Sequence, residues 1–228
     1  MKKSLSVLLA FIFFAVSGVY ASTLTPQAGK HYKVLKTPQA VSVPAGKIEV
    51  IEFFWYGCPH CKDFDPLIEA WASKQGPDVV FKRVPIAFDA SLEVYQKLYH
   101  ALDKLGVATQ MAPKIFKAIH VDRNYLKTTE AQAEFVAQHG VDKKKFLEIY
   151  HSFSTAAEVQ RDNKLMVDYN LTGVPALAVQ GKYEVSPALT NSLEGVMPVL
   201  DFVIAQIRAK KNVSLLLKNQ KPANGEPV

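Results

Sequence analysis

Both cysteines of this 228-residue chain lie in one tetrapeptide, Cys58-Pro59-His60-Cys61. Two thiols separated by two residues can close a small disulfide ring, which is too short to hold distant parts of a chain together. The chemical value of such a ring lies in opening and closing, because thiol–disulfide exchange moves two electrons in each cycle. The spacing predicts a redox centre with Cys58 and Cys61 as its catalytic pair.

A zinc site and a structural disulfide are the two other roles that such a pair can have. Zinc normally takes four ligands, and the chain has no second pair of cysteines. The other histidines lack the short spacing of metal ligands: His31, His100, His120, His139 and His151. A chain with 49% apolar residues can stabilise its core without a disulfide. We therefore predict redox chemistry and no metal.

The residues next to Cys58 predict a stabilised thiolate. Pro59 suits the first position of a helix, which places Cys58 at a helix N-terminus, where free N–H groups and the helix dipole favour an anion. His60 can add positive charge or a hydrogen bond, although it could also be an ordinary exposed histidine. Both effects lower the pKa of Cys58 and make its sulfur a good leaving group. Cys61, one turn into the helix, is expected to be more buried.

A strand–helix–strand unit must position this motif. The pattern predicts a buried strand over residues 48–55, a helix over 59–75 with a kink at Pro66, and a second strand over 79–84. Glu52 interrupts the first strand. A buried carboxylate without a partner is costly, so we expect Glu52 to be partnered or protonated if it is buried. The alternative is an exposed glutamate at the end of the strand.

Residues 91–169 have helical patterns and no strand signals. Capping-box patterns beginning at Thr129 and Thr155 predict two helix starts, and Asp142 predicts a third.

Strands return over residues 176–179 and 183–185, and a last helix is predicted over 192–211. The order is strand–helix–strand, a block of helices, then strand–strand–helix. An α/β domain with a helical insertion explains this order.

Residues 1–21 have the pattern of a secretory signal peptide, with Lys2 and Lys3 before an apolar stretch and small residues before a cleavage site after Ala21. The apolar stretch, residues 5–16, is shorter than the roughly twenty residues that span a bilayer. We therefore expect a cleaved signal and an exported protein.

The charge pattern argues against nucleic-acid binding. The chain has 27 basic and 21 acidic residues, but the basic residues do not cluster with stacking or base-reading groups. Residues 218–228 contain two prolines, a glycine and few apolar side chains, which predicts a flexible tail.

Several segments together resemble the DsbA family of secreted bacterial thiol:disulfide oxidases. They are Glu52-Phe53-Phe54, the motif at Cys58–Cys61, Pro66, and Gly173-Val174-Pro175 before a later strand. The resemblance extends over nearly the whole chain after the signal peptide. It implies a thioredoxin-like domain formed by residues 22–88 and 170–217, interrupted by an all-helical insertion domain, residues 89–169.

The resemblance also implies roles for residues outside the motif. Pro175 is expected to be a cis-proline facing the redox pair, and the backbone of Val174 to pair with an extended client segment. Glu52 matches an acidic residue with a suspected proton-handling role. The implied enzyme is a periplasmic monomer that oxidises reduced exported proteins and is reoxidised by a quinone-linked membrane protein of the DsbB type. It needs no cofactor, because the sulfurs carry the electrons.

Two other functions remain open on the same fold. A disulfide isomerase or reductase would use the same cysteine pair, although secreted isomerases of this superfamily carry an N-terminal dimerisation domain for which residues 22–46 are too short. A redox-inactive binding module, such as a chaperone, would use the helical insertion as an apolar surface. The intact cysteine pair argues against this second function.

Overall fold

The computed structural model describes residues 25–219, with side chains as far as residue 213. Within these residues, five strands form one mixed sheet in the order β1-β5-β4-β2-β3. The strands are β1 (Lys33–Val34), β2 (Ile48–Phe54), β3 (Val79–Pro85), β4 (Ala176–Val179) and β5 (Tyr183–Val185). β2 and β3 are parallel, and the other neighbouring strands are antiparallel.

β2 is the strand that leads to the redox motif, and all of its residues are buried. A parallel neighbour requires a crossover connection, and α1 (Pro59–Ala72) provides it between β2 and β3. This crossover places the N-terminus of α1 just beyond the carboxyl end of β2. The predicted strand–helix–strand unit is confirmed, with small differences at the ends of its elements.

Between β3 and β4, the described chain is helical. A short 3-10 turn (Ala90–Leu92) is followed by α2 (Glu93–Lys104), α3 (Ala108–His120), α4 (Thr129–Gln138), α5 (Lys143–Tyr150) and α6 (Phe153–Asp168). After β5 come a short α7 (Pro187–Thr190) and a long α8 (Val196–Asn219). The order of elements confirms the predicted helical insertion into an α/β fold.

Two of the three predicted helix starts in the insertion are wrong in detail. Thr128, not Thr129, caps α4, because the Thr128 hydroxyl accepts a hydrogen bond from a backbone N–H of the first turn. Ser152, not Thr155, caps α6 in the same way. Thr155 instead lies buried in the first turn of α6. The third start is confirmed, since Asp142 caps α5.

The patterns in the sequence did not predict α3 or β1. α3 contains Pro113, and a proline inside a helix removes a backbone donor and interrupts the usual helical signal. β1 has two residues and pairs only with β5 among the described strands, so it is too short to show an alternating pattern.

The last helix differs from its prediction at both ends. α8 begins at Val196 and extends to Asn219, so it includes Lys218 and Asn219, which the composition places in the flexible tail. The rest of that tail and the predicted signal peptide, residues 1–21, lie outside the described residues. None of the helices that the structure describes is long and apolar enough to cross a membrane.

Three clusters of buried side chains hold the fold together. One joins a face of the sheet to α1 and α8, and a small one covers the other face, around Phe53 and Tyr169. The largest fills the helical insertion and also contains Tyr56, Cys58 and Cys61. The redox motif therefore packs directly against the insertion.

Candidate active site

Cys58 occupies the junction between β2 and α1. It is the N-cap residue of α1, with an extended backbone (φ −88°, ψ 120°), and Pro59 follows at the start of the helix. The Cys58 N–H donates to the Trp55 carbonyl at 3.0 Å, which closes a tight turn. The backbone N–H groups of His60 and Cys61, in the first turn of α1, lower the pKa of Cys58, although the Cys58 side chain makes no capping hydrogen bond. The sulfur therefore lies at the N-terminus of α1, where the free N–H groups favour an anion.

Hydrogen bonds to its sulfur lower the pKa of Cys58 to about 6. The largest contribution is a hydrogen bond from the Cys61 side chain, and burial opposes it. The backbone N–H groups of Cys61 and His60 and the charge of His60 lower the pKa further. The helix terminus and His60 thus act in the predicted direction, but the second thiol contributes more than either.

Cys61 has the opposite properties. Its exposed fraction is 1%, against 7% for Cys58, as expected for the more buried sulfur. Burial raises the pKa of Cys61 well above its ordinary value, and the hydrogen bond to Cys58 and the Cys58 charge raise it further. Both cysteines are free in this structure, which represents the dithiol form. At neutral pH the pair therefore holds one thiolate and one thiol.

We expect iodoacetamide to alkylate Cys58 with a pH midpoint near 6, because only the thiolate reacts. Cys61 should remain unmodified in the same range, since it is buried and protonated. The alkylation rate of the reduced protein against pH, with the adduct located by mass spectrometry, measures both. As a control, both cysteines of the unfolded chain should titrate near about 8.5. A similar midpoint for Cys58 in the folded protein would contradict the thiolate assignment.

The reduced form is expected to gain stability with rising pH relative to the oxidised form. The folded pKa of Cys58, about 6, lies below the unfolded value of about 8.5, so the unfolded chain binds more protons between these values. The gain is complete above the unfolded pKa and is lost as the pH falls through the folded one. At pH 7 it amounts to about 1.4 kcal/mol. Denaturant unfolding of both forms from pH 5 to 8 tests this; parallel pH profiles would refute it.

A second segment, distant in sequence, reaches the redox pair. The Val174–Pro175 peptide bond is cis, as the resemblance implies, and it directly precedes β4. β4 runs antiparallel to β2, so the start of β4 lies at the same end of the sheet as the end of β2. The Cys58 sulfur lies 3.4 Å from the Val174 carbonyl oxygen, to which it donates a hydrogen bond in its thiol form. The structure thus brings together residues that are 116 positions apart.

A groove of about 560 Å³ opens beside this contact. Much of its wall is apolar, and its lining includes His60, Leu171, Val174, Pro175, Leu189 and Leu193. The groove begins at the redox motif and runs toward α7. Its apolar lining suits an apolar side chain.

Glu52 lies inside the protein, with 1% of its surface exposed. The alternative of an exposed glutamate at the strand end is therefore wrong. Glu52 Oε2 accepts a hydrogen bond from Arg83 Nε at 2.8 Å. The Arg83 Nη2 also lies 2.8 Å from an Asp65 oxygen and 3.3 Å from a Glu69 oxygen. One buried guanidinium thus contacts three carboxylates.

This balance of charge makes Glu52 protonatable near neutral pH. Burial raises the pKa of Glu52 to about 7; the Arg83 charge opposes the rise, and the Asp65 charge adds to it. Burial also raises the pKa of Asp65. The Glu52 charge in turn adds to the raised pKa of Cys61, of which burial is the main cause. Glu52 is therefore both partnered and electrostatically linked to the buried sulfur.

Sequence reasoning did not identify Arg83 or Asp65. A signal for Arg83 was present, because a parallel pairing of the two predicted strands in register places it beside Glu52. Asp65 lies one helical turn after Cys61, so the same helix presents both toward the sheet. Among residues 25–219, no group of three or more His, Cys, Asp or Glu side chains is arranged to hold a metal ion.

A redox pair that opens a helix and faces a cis-proline across the end of a mixed sheet is the defining arrangement of the thioredoxin-like thiol:disulfide oxidoreductases. Comparison with family models narrows this class, since the model of the DSBA-like thioredoxin domain matches residues 49–193. The chain belongs to this DsbA-like family.

Relatives and solved structures agree with this assignment. The chain is 52% identical, over 211 residues, to the thiol:disulfide interchange protein DsbA of Burkholderia cepacia, covering 92% of this chain and 100% of the relative. The corresponding protein of Azotobacter vinelandii is 40% identical, covering 91% and 98%. The crystal structure of Pseudomonas aeruginosa DsbA has 40% sequence identity and a TM-score of 0.79, covering 82% and 97%. The predicted thioredoxin-like fold and the thiol:disulfide oxidoreductase activity are confirmed.

Proposed function

We propose that this oxidoreductase is a net oxidase that donates its Cys58–Cys61 disulfide to reduced proteins exported to the periplasm. The observation that carries the proposal is the lowered pKa of Cys58, about 6, beside a Cys61 thiol whose pKa is raised. Stabilising the Cys58 thiolate stabilises the reduced enzyme, and the disulfide then becomes an oxidant. A reductase would need the opposite balance, with the disulfide as the favoured state.

The proposed reaction has two exchange steps. A client thiolate attacks the Cys58 sulfur, the Cys58–Cys61 bond breaks, and Cys61 leaves as a thiolate that takes up a proton. A second client thiolate then attacks the client sulfur of the mixed disulfide and displaces the Cys58 thiolate. The client gains one disulfide, and the enzyme takes up two electrons. The low pKa of Cys58 favours the second step, because a weakly basic thiolate leaves faster.

Three residues are proposed to tune these steps. Pro59 fixes the start of α1, and His60 contributes its N–H and its charge to the Cys58 thiolate. Glu52 is proposed to handle the proton of Cys61. Its pKa of about 7 lets it hold or release a proton at neutral pH, and a buried sulfur has little other access to one.

Clients are proposed to bind across Val174 and Pro175, along the groove beside Cys58. The support is the contact between Cys58 and the Val174 carbonyl and the apolar lining of the groove. Backbone pairing recognises the main chain of an extended segment and depends little on its sequence. This suits an enzyme with many unfolded clients.

The proposed setting follows from the signal pattern of residues 1–21 and from the chemistry. A periplasmic oxidase ends each cycle reduced, so it requires an electron acceptor, which we propose to be a quinone-linked membrane protein of the DsbB type. The enzyme is proposed to act as a monomer with two domains, residues 22–88 with 170–217 and the helical residues 89–169.

The equilibrium with glutathione tests the oxidase proposal directly. We expect the oxidised enzyme, without another oxidant, to form one disulfide per molecule in a reduced unfolded protein, and its equilibrium with glutathione to favour the reduced enzyme. His60→Ala should make the enzyme less oxidising but should leave it active, because the helix terminus and Cys61 still stabilise the thiolate. An enzyme that only rearranges scrambled disulfides, or whose disulfide is the favoured state, would instead be an isomerase or a reductase.

A further inference from the structure

Gly57, directly before Cys58, has an unusual neighbour. A Cβ atom at this position would lie 2.3 Å from Cζ2 and 2.5 Å from Cε2 of the Trp55 indole. These distances are far shorter than a carbon–carbon contact permits. The backbone of Gly57 is not in the left-handed region that favours glycine. Glycine is therefore needed at 57 because the indole ring lies against its Cα.

Packing, and not hydrogen bonding, holds this ring. Its Nε1 atom is buried and has no hydrogen-bond partner among the described residues. The ring meets Tyr95 of α2 edge to face, with 6.5 Å between ring centroids. The contacts with Gly57 and Tyr95 therefore determine the position of the indole. The indole thus links the helical insertion to the segment before Cys58.

The backbone of Trp55 contacts Cys58 directly. Its carbonyl accepts from the Cys58 N–H at 3.0 Å. The next residue is held from the insertion as well, because His120 Nε2 of α3 donates to the Tyr56 carbonyl at 2.8 Å. A shift of the indole would therefore shift the turn that presents Cys58 to the helix N-terminus.

We propose that Trp55 is a positioning residue for the redox pair: its indole, seated on the bare Cα of Gly57, holds the turn in which Cys58 faces the first N–H groups of α1. Trp55 does not touch the reacting atoms in this role. Through its contact with Tyr95, it makes the geometry of the pair depend on the helical insertion. The inference rests on the proposed roles of Cys58 and Cys61.

The test compares Gly57→Ala, Trp55→Leu and the double variant by the pH midpoint of Cys58 alkylation and by the equilibrium with glutathione. Gly57→Ala should displace the ring and raise the midpoint by about one pH unit, equivalent to about a tenfold change in the thiolate equilibrium. Trp55→Leu should raise it as well, by loosening the turn. In the Trp55→Leu background, adding Gly57→Ala should change the midpoint by less than about 0.3 unit, because the overlapping ring is gone.

Trp71 provides the matched control, as the second of the two tryptophans. It is also buried in the core, but its Nε1 donates to Asp201 and it packs away from the redox pair. Trp71→Leu should lower the stability of the fold and leave the Cys58 midpoint near 6. This control separates a positioning effect from general destabilisation.

If Gly57→Ala does not fold, Trp55→Phe and Trp55→Leu still test the role of the indole. The pH midpoint of Cys58 alkylation is expected to rise in Trp55→Phe and to rise further in Trp55→Leu. An unchanged midpoint and an unchanged glutathione equilibrium in the Trp55 variants would overturn the inference. Equal effects of Gly57→Ala with and without the indole would also overturn it. Failure of the parent enzyme to oxidise a reduced protein would instead contradict the proposed function. The pH midpoints of Cys58 alkylation would still test the role of Trp55.

Discussion

Cys61→Ser is expected to trap clients on Cys58. When the variant meets a client disulfide, the Cys58 thiolate attacks it and releases one client thiol. No second thiol is then present in the enzyme to break the mixed disulfide. Turnover should fall to background, and adducts that disappear with reductant should accumulate on non-reducing gels. The serine hydroxyl can still donate to the Cys58 thiolate, so the attacking sulfur should keep much of its lowered pKa.

Two further variants make this result specific. Cys58→Ser should neither turn over nor form adducts, because Cys61 is buried and its pKa is raised. Cys61→Ala should form adducts, but with a higher alkylation midpoint than Cys61→Ser, since it lacks the side-chain donor that contributes most to lowering the pKa of Cys58. Adducts on Cys61 in the Cys58→Ser protein, or equal midpoints for the two Cys61 variants, would contradict the proposed roles.

Arg83→Met is expected to destabilise the folded protein by about 3–5 kcal/mol, the usual cost of removing one partner from a buried ion pair. The side chains of Arg83, Glu52 and Asp65 have exposed fractions of 7%, 2% and 7%. Without the guanidinium, the carboxylates must either stay charged in a poorly solvated place or take up protons. Denaturant unfolding of the variant and its parent measures the loss.

The loss in Arg83→Met should grow with pH. Carboxyl groups without Arg83 have a pKa above that of the unfolded chain, so the folded protein binds more protons and becomes less stable as the pH rises. Arg208→Met is the matched control, because Arg208 and Asp78 pair at the surface, with exposed fractions of 43% and 40%. Its effect should stay within about 1 kcal/mol. A similar small effect for Arg83→Met would show that the buried cluster is not an essential ion network.

Adding Glu52→Gln to Arg83→Met should recover part of the stability, since it removes one of the buried charges. The single variant Glu52→Gln shows whether the link between Glu52 and Cys61 is electrostatic. If it is, Glu52→Gln alone should lower the pKa of Cys61, because the Glu52 charge raises it.

The chemistry of the residues next to Cys58 could be predicted from the sequence. The motif at Cys58 lies between a strand and a proline that suits a helix start, and these neighbours alone predicted the helix N-terminus and the more buried Cys61. The sequence also predicted that Glu52 needs a partner or a proton, because burying a carboxylate in an apolar strand is costly. Helix termini and strand periodicity depend on residues a few positions apart, so the sequence carries their signal.

The errors at helix starts show where local patterns stop being sufficient. Thr155 and Glu158 satisfy the capping-box pattern, yet Ser152 caps α6. Thr155 is buried, and its hydroxyl donates to the Ile149 carbonyl at 2.8 Å. Both threonine and serine can cap a helix, so the choice between them is made by which one the tertiary packing buries.

The partners of the redox pair were decided by tertiary structure. Arg83 reaches Glu52 because β2 and β3 pair in parallel with these residues in register, and Val174 reaches Cys58 because β4 runs antiparallel to β2. Trp55 lies only two residues before Gly57, but its ring also packs against Tyr95 of the insertion. The order, direction and register of strands depend on the packing of the whole sheet. A local pattern can therefore predict that a charge or a sulfur needs a partner, and only the folded chain determines which residue that partner is.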